Sequence, residues 1–144
     1  MNADDSLPID QTGPRFGLVL DCADPDRLAD FWTAALGYVN VGGAGAYVAL
    51  YPRAGDGPKL LLQRVTEPKA AKNRMHLDID VTDIHAEAHR LSALGATRVA
   101  DTPSHEHGTT WILMADPERN EFCICDGGNL TADQKGTVVS SQPD

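Results

Sequence analysis

A chain of 144 residues that is 42% hydrophobic and 23% charged is built for one globular domain or for two small modules sharing a core. Twelve basic against 21 acidic residues leave a net charge of -9, a field that repels phosphate backbones and anionic lipid surfaces and disfavours nucleic-acid or membrane partners. No apolar run approaches the roughly 20 residues of a bilayer span, and the opening MNADDSLPIDQTGPR lacks the basic start and apolar core of a secretory signal. Three cysteines, two of them one residue apart (Cys22, Cys123, Cys125), do not make a disulfide scaffold. The expected compartment is the cytoplasm.

Residues 1–13 are polar and read as a loose arm, and 129–144 as a tail with little to bury, leaving a core domain over 14–128. Arg15 to Cys22 predicts a strand with Phe16, Leu18 and Leu20 on one face. Asp24-Pro25 opens a helix, with Asp24 as N-cap, and Leu28, Phe31, Trp32, Ala35 and Leu36 recur at helical spacing until Gly37. Strands are predicted near Tyr38–Val41, Ala46–Tyr51 and Lys59–Val65, separated by glycine- and proline-rich turns.

The same order then recurs. Arg74–Val81 alternates as a strand, Asp83 caps a helix carrying Ile84, Ala88 and Leu91, and strands follow at Thr97–Ala100, Thr109–Ala115 and Glu121–Asp126. AALGY at 34–38 answers SALGA at 92–96, and Asp24 answers Asp83. Two β-α-β-β-β modules, about 15–66 and 73–126, therefore tile the core, which makes the fold class α+β.

Strand alternation sorts side chains onto two faces. Met75, Leu77 and Ile79 form an apolar set fit to pack under a helix, and His76, Asp78 and Asp80 oppose it. Phe122 and Ile124 oppose Glu121, Cys123 and Cys125, and Phe16, Leu18 and Leu20 oppose Gly17, Val19 and Asp21. The second face is read as polar, turned to solvent or to a wet cavity. If the modules curl together, His76 and Cys123 come close there, with Glu121 and Asp78 nearby.

DPDRLADFWTAALGY (24–38), KNRMHLDIDVTD (72–83), RLSALGA (90–96) and DPERNEFCI (116–124) resemble the vicinal oxygen chelate superfamily, in its glyoxalase-like branch beside the bleomycin-resistance proteins and extradiol dioxygenases. The resemblance covers nearly all of 15–126. It implies paired modules forming a cupped, partly open mixed β-barrel around a ligand, and a homodimer. Metal-using members of that superfamily draw one donor from the first and one from the last strand of each module. Here those positions fall on Gly17, on Leu61 or Gln63, on His76 and on Cys123. Glycine and leucine cannot ligate and an amide is a poor donor, so no metal and no other cofactor is expected.

Two function classes follow. One is a binding protein that holds a small organic molecule, aromatic or polycyclic, in a cleft between the modules without chemistry. The alternative is a lyase or isomerase with His76 as general base, assisted by Cys123 or Glu121. Metal-dependent glyoxalase or dioxygenase chemistry has the least support.

The bland readings stand beside these. His76 is equally a structural histidine bonded to Asp78 or Gln63, and Cys123 a small buried hydrophobe rather than a nucleophile whose pKa His76 lowers. Arg74 is read as an anion holder or an ion-pair partner, and Trp111 as a cavity or core residue. His105 and His107 belong to a loop that could act as a lid. Trp32 is read as core.

Overall fold

The computed structural model describes residues 13–127. The expected tail over 129–144, and the expected arm apart from Gly13, lie outside them. The chain builds β1 (Leu18–Cys22), α1 (Pro25–Leu36), β2 (Tyr38–Ala44), β3 (Tyr47–Pro52) and β4 (Leu60–Arg64). It then builds β5 (Asp78–Asp80), α2 (Ile84–Ala93), β6 (Thr97–Arg98), β7 (Ser104–Glu106), β8 (Thr109–Ala115) and β9 (Glu121–Cys125). The first sheet runs β1-β4-β3-β2 and the second β5-β9-β8-β6, with β7 also on β8. In each sheet the first strand pairs in parallel with the last and the other pairings are antiparallel. This is an α+β fold of duplicated modules. Among the described residues no helix is long and apolar enough to cross a membrane.

Local chemistry sets the helix ends. The Asp24 carboxylate accepts from the Arg27 N–H and Pro25 begins α1, while Gly37 ends it at φ 71°, a left-handed value that favours glycine. Asp83 accepts from the His85 and Ala86 N–H groups at the start of α2. Hydrogen bonds also cross between modules. Glu118, from the loop before β9, accepts from the Ala23 and Asp24 N–H groups at 2.7 and 2.8 Å. Arg90 of α2 donates to the Ala34 and Ala35 carbonyls at the end of α1, both at 3.1 Å.

One core serves both modules. Leu28, Leu50, Leu62, Leu91, Ile112, Met114, Phe122 and Ile124 are fully buried in it. Phe122 of β9 lies 5.2 Å from the Trp32 ring and 6.2 Å from the Phe31 ring, ring edge to ring face in the first case. Trp32 is core, and its indole N–H donates to the buried Asp116 at 3.0 Å.

Three expectations need correction. The strand predicted over Arg74–Val81 is regular only over Asp78–Asp80. Its parallel partner β9 begins at Glu121, which the register sets opposite His76, so earlier residues have no ladder to join. For the same reason Phe16 and Met75, placed on apolar faces, are 75% and 72% exposed: each precedes its edge strand. The stretch Ser104–Gly108 is also not a plain loop, because Ser104–Glu106 pairs with Thr109–Trp111. His107 and Gly108 turn that hairpin at φ 54° and 79°, the two positive values of a tight two-residue turn.

Candidate functional site

The open faces of the two sheets differ in chemistry. Val19 and Leu61 are adjacent in register on the first sheet, as are Ala49 and Leu61, and Tyr47 and Tyr51 share the Ala49 face of β3. Val19 is 58% exposed, and Tyr47 and Tyr51 are each 43% exposed. This face is mixed: Val19, Leu61, Ala49 and the two tyrosine rings make an apolar stretch, while Asp21 and Gln63, set in register beside Tyr47, keep one end polar. On the second sheet, Asp78 sits opposite Cys123, Cys123 opposite Leu113, and Cys125 opposite Trp111. That face carries the functional groups.

Two hollows meet at His76. A narrow groove of about 120 Å³ runs between the modules, lined by Leu18, Leu20 and Trp32 from the first and by Met75, Glu121 and Phe122 from the second, among others. A roomier cavity of about 410 Å³ is lined by Lys72, His76, Asp78, Thr109, Trp111, Leu113, Cys123 and Cys125, all from the second module. Only the second reaches the usual size of a small-molecule site. Away from His76, a further hollow of about 450 Å³ lies between the modules, lined by Asp21, Cys22 and Ala23 of the first and by Asn73 and Asn120 of the second, among others.

Within the larger cavity, His76 Nε2 lies 3.2 Å from Asp78 Oδ1. Asp78 also faces the Cys123 thiol, and burial followed by the Asp78 charge pushes that thiol above its ordinary pKa. The carboxylate thus stands between imidazole and sulfur. An activated cysteine needs the opposite shift, so the thiol here is a poor nucleophile. Burial likewise pushes the Cys125 thiol up to about 12.

The other expected residues disperse. Glu121 borders the narrow groove, but its carboxylate accepts from the Asn73 N–H at 2.9 Å and pairs with Lys69 at 3.2 Å. The Asn73 bond first, and Lys69 with it, hold that carboxyl below the usual range. Gln63 is set by register beside Asp21 and Tyr47, outside both hollows, so His76 bonds to Asp78 and not to it. Arg74 is exposed outside both. His105 lies on β7 with its Nδ1 2.6 Å from the Thr110 hydroxyl, and His107 lies in the turn beside Glu106.

Lys72 and Cys125 are cavity residues that sequence reasoning undervalued. Cys125 shares the Cys123 face by simple alternation, a signal that was present. Lys72 sits in the linker before β5, where no periodicity operates.

The chain matches the model of the glyoxalase-like domain over residues 17–125. It belongs to that family. No curated protein matches it. Among solved structures, the glyoxalase-like chain is similar to a glyoxalase/bleomycin resistance protein/dioxygenase family enzyme from Burkholderia phytofirmans, at 16% identity and TM-score 0.59, over 75% of this chain and 94% of that one. It is similar to a glyoxalase-related enzyme from Fulvimarina pelagi at 19% identity and TM-score 0.60, over 77% of this chain and 86% of that one. A fosfomycin resistance protein from Mesorhizobium loti aligns at 16% identity and TM-score 0.62, over 86% of this chain and 98% of that one. At these identities the likeness is one of fold.

The fold family implies a divalent ion held by donors from both modules, and the residues present do not fit it. Register resolves the choice between Leu61 and Gln63. Asp78 pairs with Cys123 as Val19 pairs with Leu61, so Gly17, two residues before Val19, corresponds to His76, and Leu61 to Cys123. Gly17 carries no side chain, and a Cβ built there would make only ordinary contact with Lys59, at 3.5 Å. The first module therefore offers no ligand at either position.

Proposed function

We propose that this glyoxalase-like chain binds a small organic molecule in the cavity on the open face of its second sheet. The cavity itself carries the reading: about 410 Å³, with Trp111 and Leu113 as apolar walls and Lys72, His76 and Asp78 as polar points for orientation. Half-buried Trp111 presents a ring on which a planar ligand would stack. The binding needs no four-donor ion. Fold likeness supports a hollow but names no occupant. Three free thiols suit the reducing cytoplasm.

The test is a ligand library screened by thermal shift on the full chain, followed by tryptophan fluorescence titration of each hit. Trp111→Ala should weaken a true ligand at least about tenfold, the loss expected of a central aromatic anchor. His76→Gln should leave affinity within a few-fold. Hits indifferent to Trp111→Ala would remove the cavity from consideration.

A second reading has one observation in its favour, the His76–Asp78 pair at 3.2 Å. A carboxylate beside an imidazole orients the ring, as proton abstraction beside a carbonyl in a lyase or isomerase would require. If so, His76→Gln should cut turnover by roughly 10²–10⁴-fold while ligand still binds.

We also propose that a second copy of the chain covers the open face of the first sheet around Val19, Tyr47 and Tyr51. Val19, Tyr47 and Tyr51 stand exposed together there, an apolar surface of the kind that marks an interface. Analytical ultracentrifugation should find a dimer, and Tyr51→Glu should shift it to monomer without unfolding it. A wild-type monomer at every concentration would exclude the pairing.

A further inference from the structure

The hollow of about 450 Å³ between the modules shares no lining residue with the His76 cavity. It lies where β1 and β4 end side by side and the linker into the second module begins. Its polar groups are mostly acceptors that lack a donor. Neither the Asp21 nor the Glu67 carboxylate has a hydrogen-bond or ion-pair partner among the described residues. Asn120 is 9% exposed and its NH₂ donates to both Asp116 oxygens, at 3.2 and 3.0 Å. Among the described residues nothing donates to its Oδ1, and a buried carbonyl oxygen without a donor costs free energy. The cation in the lining, Lys69, is already engaged: its Nζ pairs with Glu121 at 3.2 Å and donates to the Ala71 carbonyl.

The field there has the sign of those acceptors. Asp21, Glu67, Glu118 and Glu121 outnumber Lys69 and Arg64 around the hollow. The buried Cys22 thiol in the lining responds to them. Burial first, then the charges of Glu118, Asp116 and Asp21, push it up to about 11 against the opposing Arg64 guanidinium.

We propose that this hollow is a second binding site, for a small organic cation carrying an ammonium or guanidinium group. Such a head brings donors and positive charge together, which is what Asp21, Glu67 and Asn120 lack. A bare metal ion does not fit, because among the described residues no three metal donors cluster there. Val65 and Pro68 supply apolar wall for a short carbon stem.

This site goes beyond the ligand-binding reading and does not rest on it. That reading is tested at Trp111 and this one at Asp21 and Glu67, so either can fail alone.

The experiment is titration of the full chain with agmatine, a four-carbon stem with an ammonium at one end and a guanidinium at the other. Binding is followed by calorimetry and by amide NMR, with the dianion glutarate as control. Agmatine should saturate one site per chain at low salt, weaken as salt screens the carboxylates, and shift the Ala23 backbone and the Asn73 and Asn120 side-chain amides. Glutarate should not bind. Asp21→Asn and Glu67→Gln change exposed side chains, so the circular dichroism spectrum should stay the same. Each should weaken agmatine roughly three- to tenfold, and the double variant should abolish saturation. No saturation at millimolar agmatine, equal binding of glutarate, shifts centred on the Trp111 indole, or full affinity in the double variant would overturn the assignment.

Discussion

Asp116→Ala is expected to lower the unfolding free energy by about 3–5 kcal/mol, because it orphans several buried donors at once. Asp116 is 1% exposed and its carboxylate accepts from the Trp32 indole N–H at 3.0 Å. It also accepts from the Glu118 and Asn120 backbone N–H groups at 2.8 and 2.9 Å and from the Asn120 side-chain amide. Burial pushes this carboxyl up, and the Asn120 and Trp32 bonds oppose that shift. Alanine leaves the buried Trp32 and Asn120 donors without their acceptor. For a chain of this size the melting temperature should fall by roughly 10–20 °C. Asp116→Asn keeps one acceptor oxygen but turns an NH₂ toward donors, so it should fall between. Urea unfolding followed by circular dichroism measures all three. A loss below about 1 kcal/mol for alanine would mean the Trp32–Asp116 link across the modules contributes little.

Phe122→Ala is expected to cost about 3–5 kcal/mol as well, by a different route. The ring is 1% exposed and wedged against Phe31 and Trp32 of α1, so its removal leaves a void where the two modules meet. Phe122 also lines the narrow groove that reaches His76, so the variant should widen that groove and loosen the start of β5. The two losses should not add. Both substitutions strip contacts from Trp32, and the double variant should deviate from the sum by about 0.5–3 kcal/mol. Additive losses would show that the ring packing and the indole bond act separately.

These residues also show how far linear pattern reaches. Asp24-Pro25, Asp83, Gly37 and the helical spacing of Leu28, Phe31, Trp32 and Ala35 are legible because capping and amphipathic burial are local rules. The duplicated order follows from them. Trp32 could be assigned to the core from spacing, but its partner Asp116 lies 84 residues away, and no local rule brings them together.

The candidate site was legible in part for the same reason. Alternation placed His76 with Asp78 and Cys123 with Cys125, one pair on each strand, because a strand alternates with period two. Which residue of one pair faces which of the other depends on parallel register between β5 and β9, separated by more than thirty residues of chain in the described fold. That register set Asp78 against Cys123 and identified Leu61 as the first module's blank position.

Fold class, module order, helix caps and the acidic field are properties of short stretches or of composition, and the amino-acid order alone carries them. Where the cavity opens, which carboxylate meets the Cys123 thiol, and that Val19, Tyr47 and Tyr51 share the first sheet's free face are consequences of strand pairing between distant segments. Free energy from the shared core around Phe122, not local propensity, selects those pairings. They are decided only when the chain is folded.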